Sequence, residues 1–179
     1  MSNCMQFAEP KIHTRRNLLK SFVIREFKKS NRCQILVSTV TRSVQLVNGI
    51  ANPADALIGD LEVVLIGANM TDCRGRGPYF AGNVSGASGF KRNLRDPHNQ
   101  VQHATAGIII GYRYGWVGHQ YAMWRETEPQ DDRLYNATCP IGHSLNDKNY
   151  FSLPERIKSA IGDILFSYDS FVEESRVVG

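Results

Sequence analysis

One stretch, from Asp96 to Trp116, constrains this chain more than any other. Asp96 and Pro97 open it as a cap and first-turn proline would open a helix. From Val101 onward it is nearly all apolar, and behind His103 the glycines Gly107, Gly111 and Gly115 recur every four residues. A glycine inside a helix costs ~1 kcal/mol against alanine, so three in one helix call for something that must come very close. At about 100° per residue the three drift only about 80° round the axis and form a shallow groove. The favoured occupant is another helix of the same chain. A ligand and a second copy of the chain are the alternatives. Gln102 and Arg113 share one direction, while nearly every other direction is apolar or glycine. Such a helix is buried on most sides, so residues 96–116 are expected to form the core around which the rest packs.

The remainder of the chain follows the helical period. Residues 15–29 place Leu18, Leu19, Phe22, Val23 and Phe27 on one stripe with basic residues around it. Residues 33–47 repeat Cys33, Leu36, Val37, Val40, Val44 and Val47, and Asn48-Gly49 supplies a stop. Asn52 and Pro53 begin a third helix bearing Leu57, Ile58, Leu61, Val64 and Leu65. A helix over 131–146 is bent at Pro140, and a last one starts at a Ser152/Glu155 capping box. Residues 67–95, rich in glycine, form a long loop expected to fold over the start of the central helix. With 179 residues the fold class is mostly α: a compact single-domain helical bundle over 1–179, its ends at 1–14 and 175–179 flexible.

Composition excludes several classes. Cys4, Cys33, Cys73 and Cys139 are too few and too scattered for a disulfide scaffold, which fits a reducing, cytoplasmic setting. No run reaches the ~18 uncharged apolar residues of a membrane span; 104–118 comes closest and Arg113 interrupts it. The net charge of +4 is mild, but residues 1–43 carry nine Lys/Arg against Glu9 and Glu26. A solvated helix face explains that excess most simply; a nucleic acid or acidic protein surface is the functional alternative.

The candidate chemistry converges on the start of the central helix. Burial and the positive end of a helix both disfavour an imidazolium, so His103 is expected to be a neutral, fixed imidazole able to serve as a general base. A satisfied core histidine is the competing reading. Asn99 and Gln100 lie one turn before it and could orient a substrate or stabilise negative charge with their amides. Arg95, and Arg76 and Tyr79 in the loop, are the expected contacts to a polar or anionic substrate. Gly107, Gly111 and Gly115 are the close-packing groove. Cys139 and His143 have C-x3-H spacing, but no set of ligands accompanies them and no metal is expected. His119 stands ~24 Å from His103 along a continuous helix, too far to share a metal.

These features support an expectation of a small hydrolase or lyase-like enzyme without a cofactor. His103 would be its base, with Asn99 and Gln100 beside it. Two alternatives stand next to it: a basic module that binds nucleic acid or an acidic protein, and a homo-oligomer packed through the glycine ladder.

Overall fold

The computed structural model describes residues 9–67, 77–82, 84–95, 98–125 and 128–163. Several sequence features therefore lie outside the described residues: Asp96 and Pro97, residues 68–76 of the glycine-rich loop with Arg76 and Cys73, Cys4, and both chain ends. Six α-helices and no strand are present among the described residues: α1 Glu9–Glu26, α2 Arg32–Val47, α3 Pro53–Leu61, α4 Gln100–Arg125, α5 Pro129–His143 and α6 Leu153–Ile161. The chain is a helical bundle, as its periodicity requires.

One core runs through all of it. Leu36 and Val40 of α2, Leu57, Ile58 and Leu61 of α3, Ile108 and Ile109 of α4, Leu134 of α5, and Leu153 and Ile157 of α6 are fully buried together. Capping decides where helices start. Asn31 caps α2 by accepting the Gln34 N–H at 2.9 Å. At α3 the expected cap, Asn52, makes no such bond; Asp147 accepts the Ala54 N–H instead, at 2.9 Å. Nor does the Ser152/Glu155 capping box form, because the Ser152 hydroxyl donates to Asn149 O. α3 runs on into a π-helical turn, Glu62–Ile66, which ends at Gly67 in the left-handed region with φ 87.

The stripe of α1 is shifted from its expected position. Arg15, Leu19, Val23 and Glu26 face inward, while Leu18 and Phe27 are exposed. A buried carboxylate is the reason. Asp60 of α3, wholly buried, takes both Arg15 nitrogens, Nη2 at 3.0 Å, and Arg16 Nε at 3.3 Å. A charge so placed must be paired, and pairing it rotates α1 about its axis.

The described parts of the 67–95 segment are firmly built in. Val84 and Phe90 are buried, and Phe90 is among the largest core side chains. Lys91 N–H donates to Ile161 O at 2.9 Å and Asp163 N–H to Gly89 O at 2.9 Å, which ties this segment to the end of α6. Gly86 N–H donates to His98 O, which ties it to the start of α4.

α4 departs from the expected central helix in two ways. It begins at Gln100, and it is broken at Gly115, whose backbone (φ 57, ψ −140) is open only to glycine. Most of residues 100–111 are buried; beyond the break only Gly118 and Ala122 of its described residues are. Its polar strip is not solvated either. Arg113 pairs with the buried Glu62 at 2.7 Å and Gln102 Nε2 donates to Leu65 O at 3.3 Å, so this strip docks on the π-helical turn.

Candidate functional site

The glycine ladder determines the site because it sets how closely α5 lies on α4. A Cβ on Gly107 would come 3.1 Å from Thr138 Cβ and 3.2 Å from a Tyr135 ring carbon. On Gly111 it would come 2.9 Å from the Cys139 carbonyl carbon, and on Gly115 2.9 Å from His143 Nδ1. α5 answers with a glycine of its own: a Cβ on Gly142 would stand 2.8 Å from the Ile108 carbonyl carbon and 2.8 Å from Tyr112 N. The groove is therefore filled by a helix of the same chain. Neither a ligand nor a second copy can occupy it, which corrects the assembly reading built on Gly107, Gly111 and Gly115.

Close packing along the ladder brings the first turns of α4 and α5 together. His103 from α4 meets Asp131 from α5, with Nδ1 and Oδ2 2.9 Å apart. Asp131 is buried, and Gln100 Nε2 donates to its other oxygen at 3.4 Å. The Nδ1 N–H does not point straight at the carboxylate, so the pair is close without being a well-aligned hydrogen bond. A small turn about the broad χ2 of histidine would align it. The His103 side chain is 29% exposed although Nδ1 is buried. The exposed part of the ring therefore lies away from Nδ1. This differs from the buried imidazole expected from the apolar run.

Around the pair lies unmet hydrogen-bonding capacity. Gln100 Oε1, Gln130 Oε1 and Asp132 Oδ1 are buried and make no hydrogen bond within the protein. Each such atom costs about 1–3 kcal/mol, and native proteins keep few of them. Three lie on the adjoining first turns of α4 and α5; others, Thr39 Oγ1, Ser43 Oγ and Arg113 Nε, lie elsewhere among the described residues. Gln130, Asp131 and Asp132 were missed by the sequence reading. They look like an ordinary acidic first turn of a helix, and only the fold sets them against His103.

The other expected site residues are engaged elsewhere. Tyr79 bonds His13 through its hydroxyl and lies under the Arg16 guanidinium, 5.8 Å from its ring centroid, against α1. Arg95 donates to Phe90 O at 2.8 Å and pairs with Asp163 at 2.7 Å. These bonds engage Tyr79 with α1 and Arg95 with Phe90 and Asp163, not with His103. Asn99 is half-buried and its carbonyl accepts the His103 N–H at 3.0 Å. Arg76 lies outside the described residues.

Cys139 and His143 do not make a nucleophile pair. Burial pushes the Cys139 thiol up to about 11, which leaves it protonated and inert at neutral pH, and His143 is turned toward Gly115. His119 bonds Asn136 at 3.1 Å. No three His, Cys, Asp or Glu side chains among the described residues are grouped to hold a metal ion, and no described helix is long and apolar enough to cross a membrane.

Chemically, the arrangement can hold an imidazole in one tautomer. A carboxylate at Nδ1 favours the proton there and puts the basic lone pair on Nε2. The Gln100 amide, bonded to the same carboxylate, lies beside the pair. Comparison with family models, curated proteins and solved structures finds no match to this chain.

Proposed function

We propose that this protein is a small, cofactor-free hydrolase or lyase-like enzyme whose general base is His103, oriented by Asp131. The observation that carries the reading is the polar cluster at the joined starts of α4 and α5. A partly open imidazole is backed by a buried carboxylate at 2.9 Å and flanked by buried polar atoms without partners in the protein. That is the base-and-orienter geometry of proton transfer. Nε2 takes a proton from water or from substrate, and Asp131 stabilises the imidazolium that results. Gln100 and Gln130 hold the substrate's polar group. Asp131 and Asp132 make the cluster acidic, so a neutral or cationic polar substrate suits it and an anionic one does not.

The binding-module reading has less behind it. Four of the cations on the basic N-terminal stretch are drawn into the fold: Arg15 and Arg16 on Asp60, Lys20 on Pro78 O at 2.7 Å, and Arg32 on Ser85 O at 2.6 Å.

The test is a panel of neutral ester, amide and glycoside substrates offered to the wild type and to Asp131→Asn. Removing the orienting charge should lower turnover by about 10²-fold or more, in line with the usual contribution of a positioned acid–base group. Turnover of any panel substrate that Asp131→Asn leaves unchanged would place the chemistry elsewhere.

A further inference from the structure

The limb of α4 beyond the break, residues 116–125, is inverted relative to an ordinary surface helix. Its small residues Gly118 and Ala122 are buried, and its large apolar residues face outward: Trp116 is 67% exposed, Val117 73% and Trp124 80%. Tyr121 lies beside Trp124 with ring centroids 6.2 Å apart, and it is exposed too, as is Tyr114 just before the break. At 100° per residue, Trp116, Gln120, Trp124, Val117 and Tyr121 follow one another round a single half of the helix. Single exposed apolar residues are normal, whereas a contiguous aromatic face marks an interaction site. Its three aromatic side chains, Trp116, Tyr121 and Trp124, of ~150–250 Å² each, leave on the order of 400 Å² of aromatic surface at these exposures. That is enough to form the apolar centre of an interface to which each partner gives about 800 Å².

We propose that this face joins two copies of the chain, helix 116–125 packing on its counterpart about a two-fold axis. Charge selects the partner. Gln120 is the only polar residue on the exposed half, and the segment's one charged residue, Arg125, is its last. The preceding cation, Arg113, is bound to Glu62. A two-fold contact sets a surface against itself, so only a nearly neutral surface avoids repelling its copy. A nucleic acid or an anionic surface would instead require cations on the face. The glycine ladder is already filled by α5, so the aromatic face is where a second copy can dock. The dimer is independent of the chemistry at His103.

Sedimentation equilibrium of the full-length protein, from about 1 to 100 µM, tests this. The expected species has twice the 20.1 kDa chain mass. Trp124→Glu and, separately, Val117→Glu should each weaken association by about 30-fold or more with unchanged far-UV circular dichroism, as removal of an interface hot spot does. A monomer at 100 µM overturns the proposal. So does a dimer that both variants leave intact, because its interface then lies elsewhere. A monomer that co-sediments with phosphatidylcholine vesicles would assign the face to a lipid surface and also overturn it.

Discussion

Gly111→Ala and Gly59→Ala make the same chemical change in two helices and should act with opposite sign. On Gly111 the new methyl would stand 2.9 Å from the carbonyl carbon of Cys139 and 3.0 Å from its Cα, with the carbonyl oxygen nearer still. Ordinary contact begins near 3.4 Å. The obstacle is backbone and cannot rotate away, so α4 and α5 must part by about 0.5 Å or more along their seam. A gap of that size forfeits about a quarter of the dispersion between the facing atoms. Overpacking of a core costs about 1–3 kcal/mol, and this site belongs at the upper end because α5 is held again at Gly107 and Gly142. Helix propensity returns ~1 kcal/mol, leaving a net loss of about 2 kcal/mol. Gly59 sits in α3 with nothing nearer to its Cβ than the flexible Arg16 guanidinium at 3.8 Å. There alanine should gain about 0.5–1 kcal/mol. Urea unfolding followed by far-UV circular dichroism measures both. A Gly111→Ala protein as stable as the wild type would refute the close-packing account of the ladder.

Two further outcomes follow from buried groups. Asp60→Ala leaves Arg15 buried without its counter-charge and should cost about 3–5 kcal/mol in unfolding free energy; a loss under about 1 kcal/mol would mean that α1 does not depend on this pair. Burial pushes the Cys33 thiol up to about 12 and Cys139 up to about 11, against 9.0 for an ordinary thiol. Between those values the folded chain keeps protons that the unfolded chain loses. Stability is therefore unaffected below about pH 9 and falls as pH rises from 9 toward 11, with a slope of up to ~1.4 kcal/mol per unit for each thiol. Replacing both by serine should flatten that slope; an unchanged slope would contradict it.

Much of this architecture could be read along the chain because local rules and tertiary packing agree. α2 carries its core residues at helical spacing and stops at Asn48-Gly49, where Gly49 has φ 83. The glycine ladder of α4 announced a close neighbour, and α5 is that neighbour. Legibility failed wherever a distant group decided the outcome. Asp60 turns α1 so that Arg15 is inside and Leu18 outside, and no periodicity within α1 contains that fact. Asp147 caps α3 from 93 residues away. At the candidate site, His103 and Gln100 stand out as polar residues at the head of an apolar helix. Asp131, Gln130 and Asp132 resemble any acidic helix start until α5 is laid along the glycines. Tyr79 and Arg95 were expected beside His103 because the loop precedes α4 in sequence. The loop instead packs through Val84 and Phe90, whose burial outweighs the pull of a few surface cations.

The proposed function requires that His103 be present for chemistry rather than for packing. His103→Gln keeps a polar side chain of similar reach beside Asp131 but has no titratable nitrogen. The deciding measurement reads both roles in one protein: turnover of the best substrate from the neutral panel, and unfolding free energy in urea. Turnover should fall by about 10²–10⁴-fold while stability stays within about 1 kcal/mol of the wild type. Undiminished turnover together with a loss of several kcal/mol would show that His103 is a structural residue and contradict the assignment.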